Sequence, residues 1–119
     1  MPIQSYRDLL VYQKSYQAAL ELHRLSLVFP THERYELGRQ LREATKSIAA
    51  NIAEGYGRKE SLKDFKRFLQ IALGSCDEVR VWLDFCRDLG YMEPAAHAVW
   101  SETYDQIGKG LSRMIKVWQ

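Results

Sequence analysis

The chain has only two cysteines, three prolines and seven glycines in 119 residues. So little proline and glycine argues against a disordered or low-complexity stretch. Cys76 and Cys86 fall in one helical pattern, where their spacing puts the α-carbons ~15 Å apart, beyond disulfide reach. They read as small buried hydrophobes of a reducing compartment. No apolar run approaches the ~18 residues of a membrane span. Met1–Leu10 lacks the basic-then-apolar order of a signal peptide, so a cytoplasmic location with no membrane partner is expected. His23, His32 and His97 are scattered without ligand spacing, and no metal or other cofactor is expected. No alternating strand pattern occurs anywhere.

What is present is ordinary for a globular chain, with 46% hydrophobic and 27% charged residues. One domain spanning residues 1–119 is expected, large enough to bury roughly two-thirds of its unfolded surface. The net charge of +2 hides an uneven distribution. Residues 1–30 carry +1, residues 31–70 carry +3, residues 71–105 carry −5 and residues 106–119 carry +3. Such bipolarity bears on partners more than the total does.

Four helical segments follow from the apolar spacing. In the first, Val11, Ser15, Ala18, Leu22, Leu25 and Phe29 alternate by four and three, and Pro30 closes it. The second is expected from about Glu33 to Gly55, with Gly38, Leu41, Thr45, Ile48 and Ile52 on one seam and Gly55-Tyr56-Gly57 as a left-handed cap. Ser61 with Asp64 resembles a capping box opening the third. That segment carries Phe65, Phe68, Ala72, Ser75, Val79, Trp82, Cys86 and Leu89, and Gly90 ends it. Pro94 begins the fourth, seamed by Trp100, Tyr104, Ile107, Leu111, Met114 and Trp118. The expected fold is all-α, an antiparallel up-down-up-down four-helix bundle.

Two features suggest a homo-oligomer. Ala44, Ile48, Ala49, Ala50, Ile52 and Ala53 occupy more than one face of the second helix, which implies burial on more than one side. Leu69, Cys76 and Leu83 form a second column beside the main seam of the third helix, and both features read as a protomer contact.

No catalytic constellation is recognisable, and the chain reads as non-enzymatic. Gly55-Tyr56-Gly57-Arg58 lacks the preceding strand and the Gly-Lys-Ser/Thr ending of a phosphate loop, and reads as a helix-capping turn. Ser47, Asn51 and Glu54 form a polar stripe inside an apolar helix. It reads either as a catalytic acid with an amide helper or, preferably, as a buried hydrogen-bond network partnered by Ser75, Glu78 or a backbone group. Arg39, Arg42 and Lys46 line one helix, and Arg58, Lys59, Lys63, Lys66 and Arg67 follow across the turn. Together they form a candidate phosphate-binding surface, although Glu43, Glu60 and Asp64 are interleaved.

The run Ser47-Ile48-Ala49-Ala50-Asn51-Ile52-Ala53-Glu54-Gly55-Tyr56-Gly57-Arg58 is one half of a recognisable pattern. Phe65, Phe68-Leu69, Ile71-Ala72-Leu73-Gly74-Ser75 and Glu78 form the other. With Tyr6-Arg7-Asp8-Leu9, Phe29-Pro30, Tyr35, Leu37 and Asp88-Leu89-Gly90-Tyr91, the chain resembles the bacterial four-helix bundle family encoded in 23S rRNA intervening sequences. The resemblance implies a homopentameric barrel with a central channel. The family is similar to the accessory variability protein of diversity-generating retroelements, which assists a reverse transcriptase and binds nucleic acid through a basic surface. The resulting expectation is an oligomeric RNA- or DNA-binding protein, RNA favoured, that reads shape through phosphates. The alternative is a protein-interaction scaffold or accessory subunit of a reverse-transcriptase-type complex.

Overall fold

The computed structural model describes residues 2–118, and among them the only regular elements are helices. A 3-10 turn at Tyr6–Asp8 precedes α1 (Leu10–Ser26), the single-turn α2 (Thr31–Arg34), α3 (Leu37–Gly57), α4 (Leu62–Asp88) and α5 (Pro94–Val117). The four long helices form an all-α bundle measuring 45 × 24 × 23 Å. α3 lies between α1 and α4, α4 packs on α5, and α5 closes back on α1. Closure depends on Gly110, where an added β-carbon would stand 2.6 Å from Val11 Cγ1. The core is one cluster that includes the fully buried Leu22, Leu41, Ile48, Ile52, Phe65, Leu69, Leu83, Tyr104, Ile107 and Leu111. Burying each such side chain contributes about 1.5–3 kcal/mol.

The seam of α4 differs from the expectation. Phe65, Leu69, Ala72, Cys76, Val79, Leu83 and Cys86 are all fully buried. Ser75 and Trp82 are half-buried and Leu89 is 53% exposed. The buried face thus steps by four and three through the second column, because α4 is clasped between α3 and α5 rather than facing one neighbour. Leu69, Cys76 and Leu83 are therefore core within the chain and form no protomer contact. In α3, Ala44 and Ala49 are likewise buried, which leaves Ala50 exposed and Ala53 half-exposed.

The α1–α3 connection also corrects the spacing argument. α1 stops at Ser26, three residues before Phe29, and the expected helix start at Glu33 belongs to the separate α2. Arg42 explains the stop, since its guanidinium donates to Ser26 Oγ at 2.8 Å and to the Arg34 carbonyl at 2.9 Å. It pins the end of α1 and the end of α2 to one point of α3. Gly38 fits beside the same knot, with the Glu33 carbonyl 3.2 Å from where a β-carbon would stand.

Gly55 is not a left-handed cap. α3 continues through Gly57, and Gly90, at φ 84°, is the only positive-φ residue among those described. Gly55 instead permits contact between α3 and α4, since a β-carbon there would lie 3.0 Å from Phe68 Cβ and 3.3 Å from the Phe65 carbonyl. Ser61 caps α4 by accepting from the Asp64 amide at 3.2 Å, only half of the expected box. The full reciprocal box occurs at Ser5 and Asp8, the same Ser-x-x-Asp pattern, which the spacing argument passed over.

Candidate nucleic-acid interface

The close approach at Gly55 brings the end of α3 and the start of α4 together, and the short turn between them gathers cations. Arg58 pairs with Glu54 at 3.5 Å and lies 5.2 Å from the centre of the Phe68 ring. Arg67 covers the same ring at 4.5 Å, and Lys59 lies 4.3 Å over Tyr56. Among the described residues, Lys59, Lys63, Lys66 and Arg67 form no ion pair. Lys63, Lys66 and Arg67 also sit in the first two turns of α4. Lys63, in the first turn, opposes the helix dipole, whose positive end calls for acidic side chains and whose effect fades within that turn. Asp64 alone follows that preference. A helix start loaded against its own dipole favours a bound anion.

Three further cations join this end from α5. Lys109, Arg113 and Lys116 recur at i, i+4 and i+7, on the rim of an open groove of about 530 Å³ between α4 and α5. The groove's far end is closed by ion pairs: Arg80 to Asp105 at 3.3 Å and to Asp77 at 3.7 Å, and Lys109 to Asp105 at 3.0 Å. The Asp105 carboxylate raises the Lys109 pKa. Arg113 and Lys116 form no ion pair among the described residues, and Ser112 lines the same groove. The signal was legible as the +3 charge of residues 106–119 at helical spacing. No sequence motif links these three cations to the run that ends at Arg67.

The expected cations do not form one surface. Arg39 and Lys46 are exposed, but they lie well up α3, about 28 Å and 18 Å from Arg58 at 1.5 Å per residue. Arg42 is excluded from phosphate contact by its structural bonds to Ser26 and Arg34. Lys46 instead borders an apolar groove of about 550 Å³ between α1 and α3, walled by Tyr12, Tyr16, Ala49, Ala50 and Ala53. Burial, with Lys46, Arg42 and Arg24 nearby, lowers the pKa of His23 on the same rim.

Charge is therefore sorted along the bundle. The end built from residues 2–14, 54–67 and 109–118 carries ten basic and four acidic side chains. The rest carries seven basic and eleven acidic. Between them lies a belt without charge: residues 15–20, 47–53, 68–76 and 106–108. Tyr16, at 45%, and Ile71, at 42%, are exposed apolar side chains of this belt.

The polar stripe of α3 crosses the belt. Ser47 Oγ and Ser75 Oγ are 2.9 Å apart, joining α3 to α4. Asn51 Nδ2 donates to the Ser47 carbonyl at 2.8 Å and to Ser47 Oγ at 3.1 Å. Ser47, Asn51 and Ser75 thus form the network that the sequence suggested. Glu54 and Glu78 do not join it. Glu54 faces the basic turn, and Glu78 Oε2 accepts from Trp82 Nε1 at 3.1 Å. The network therefore holds no carboxylate, which removes the catalytic-acid reading.

Among the described residues, no group of three or more His, Cys, Asp or Glu side chains is placed to hold a metal ion. Burial pushes both thiols, Cys76 and Cys86, up to about 12. His97 Nε2 contacts Asp84 Oδ1 at 2.8 Å, and Ser101 Oγ lies 3.4 Å from the same nitrogen. A nucleophile relay needs its acid and its hydroxyl on opposite ring nitrogens, so this trio ties α4 to α5 instead. No described helix is long and apolar enough to cross a membrane.

Comparison with known proteins agrees with this architecture. A solved protein of unknown function from the S23 ribosomal protein family of Bacteroides thetaiotaomicron is 26% identical. The match covers 91% of this chain and 96% of that one, with a TM-score of 0.82. No curated protein matches the chain. Residues 7–113 match the family described as 23S rRNA-intervening sequence protein, and the chain belongs to that family.

Proposed function

We propose that the protein is a non-enzymatic, oligomeric nucleic-acid-binding protein of the cytoplasm, with RNA the favoured ligand. The observation that carries this reading is the sorted charge. One end of the bundle gathers Arg58, Lys59, Lys63, Lys66, Arg67, Arg113 and Lys116, and Lys63 among them stands against the dipole of α4. Their contacts would be to phosphates. A bundle of helices has no sheet on which to stack splayed bases, so sequence would be read weakly.

Oligomerisation into a closed ring, a homopentamer by family resemblance, would multiply the surface. The uncharged belt supports such assembly, since the core of an interface is depleted in charged residues. Ala50, Tyr16 and Ile71 supply exposed apolar surface there. The test is binding of unrelated RNA and DNA duplexes and single strands across a salt series. A steep linear fall of log affinity with log salt is expected. Absence of binding to every nucleic acid at low salt would sink the reading.

A second reading, an accessory subunit that engages a protein such as a reverse transcriptase, is favoured by the acidic end. There, the exposed Phe85 and half-buried Trp82 stand beside carboxylates.

A further inference from the structure

We propose that the groove between the start of α3 and the last turns of α4 docks an arginine-bearing segment of another protein. The groove measures about 260 Å³ and is bordered by Glu33, Glu36, Leu37, Trp82, Phe85 and Leu89. That lies below the roughly 300–1,000 Å³ of small-molecule sites, and suits one or two long side chains of a bound peptide. Phe85, on α4, is 50% exposed and Leu89, its C-cap, is 53% exposed, although ample core lies elsewhere. Trp82 and Phe85 stand 6.0 Å apart with their planes tilted by 38°, and the Glu78 carboxylate holds the Trp82 indole in place.

The chemistry of the occupant follows from what these rings lack. At the opposite end, Lys59 covers Tyr56, and Arg58 and Arg67 cover Phe68. Among the described residues, no cation lies over Trp82 or Phe85. Yet Glu33 and Glu36 stand on the groove's rim, in the half of the bundle where acidic side chains outnumber basic ones eleven to seven. Tyr91 donates to Glu33 Oε2 at 2.9 Å and fixes that carboxylate, while Glu36 is exposed.

Aromatic faces beside carboxylates recognise a cation with a flat apolar surface. Guanidinium meets both demands, stacking on the ring and forking to the carboxylate, whereas ammonium is more strongly hydrated. Nucleic acid is repelled by the same carboxylates. A second copy is a poor source of arginine in an extended segment, because all its arginines but Arg58 lie within helices and Arg58 is committed to Glu54 and Phe68. The occupant is thus a segment of a different protein that offers arginine next to an apolar residue.

The test is a nitrogen-15 titration of the full chain with a capped hexapeptide alternating leucine and arginine. The expected result is a saturable shift of the Trp82 indole N–H resonance, with those of Trp100 and Trp118 unmoved. Replacing the peptide's arginines by uncharged citrulline should weaken binding roughly tenfold or more, the scale of one desolvated cation–π contact with its ion pair. Glu36→Lys and Phe85→Ala, both exposed positions, should each weaken it by a similar factor without loss of helicity. The proposal is overturned if Trp82 does not move at millimolar peptide, or if citrulline binds equally well. Self-association abolished by Glu36→Lys would assign the groove to a second copy and overturn it too.

Discussion

At the basic end of the bundle, the aromatic rings are already occupied: Lys59 lies over Tyr56, and two arginines flank Phe68. At the acidic end, Trp82 and Phe85 stand beside Glu33 and Glu36, with no cation over either ring among the described residues. The same pairing of ring and charge thus serves two purposes. Where the chain supplies both partners, the ring holds the cations in a fixed array with their charge facing outward. Where it supplies only ring and carboxylate, the proposed docking segment would bring the cation. Arginine teaches the same distinction. Arg42 has two hydrogen bonds that knot α1, α2 and α3 together, whereas Lys63 and Lys66 have no ion pair among the described residues.

The largest expected effect separates binding cations from structural ones. Lys63→Glu, Lys66→Glu and Lys116→Gln together should weaken binding of unrelated nucleic acids on the order of 100-fold at low salt, and reduce the salt slope by about 2–3 units. Folding should be unharmed, because acidic residues in the first turns of α4 agree with its dipole. Electrophoretic mobility across a salt series, with circular dichroism alongside, reads both quantities. Unchanged affinity would remove this end from the binding surface.

Arg42→Ala should do the reverse. It leaves Ser26 Oγ and the Arg34 carbonyl without their charged donor, at a cost of about 2–3 kcal/mol. Nucleic-acid affinity of the folded fraction should not change. Denaturant unfolding tests the first statement, and a binding assay below the transition tests the second. If Arg42→Ala loses affinity but not stability, the two classes of cation have been assigned the wrong way round.

Gly55→Ala should cost about 1–3 kcal/mol, since the new methyl meets the Phe65 carbonyl and Phe68 Cβ and forces α3 from α4. Gly57→Ala is the control, because open space surrounds a β-carbon there. Thermal unfolding should separate the two variants clearly. Equal transitions would mean that the turn relaxes freely and does not hold the basic array in place.

The bundle was legible in the sequence because a 3.6-residue period needs no partner to be read. Gly90 and Pro94 act through their own backbone and Ser61 through its hydroxyl on a nearby amide, so each is legible where it stands. The α4 seam was misplaced by one column because α4 touches helices on two sides, and spacing alone gives the width of an apolar face but not its centre. Arg42 was misread for a related reason. Its partners are sixteen and eight residues away, and a cation on a helix looks the same whether it faces water or a carbonyl. Polar groups of the α3 stripe among apolar neighbours need partners, and of the expected Ser75, Glu78 or backbone group, Ser75 meets Ser47 while the Ser47 carbonyl meets Asn51. The contribution of α5 to the basic end depended on which helices lie side by side, and so emerged only from the fold.

The smallest expected effect compares one carboxylate from each end. Asp8, at the basic end, accepts the Gln4 and Ser5 amides at 2.8 and 3.1 Å, which lowers its pKa. Asp88, at the acidic end, is lowered chiefly by its hydrogen bond with Arg87 at 2.8 Å. For both, the folded pKa lies below the unfolded one. The stabilisation is therefore present above the unfolded pKa and is lost as pH falls through the depressed folded value. The causes differ, however, in their response to salt. An exposed ion pair is screened, whereas amide hydrogen bonds within a capping box are not. Carboxyl-carbon NMR titrations at low and high salt should show the Asp88 midpoint rising toward its ordinary value while the Asp8 midpoint stays depressed. In the same titration, the Gln4 and Ser5 amide resonances should move with Asp8, as the Tyr6–Asp8 turn releases and α3 and α4 stay folded. An Asp8 midpoint that rises with salt as far as that of Asp88 would show that the cations of the basic end, and not the cap, hold its proton off.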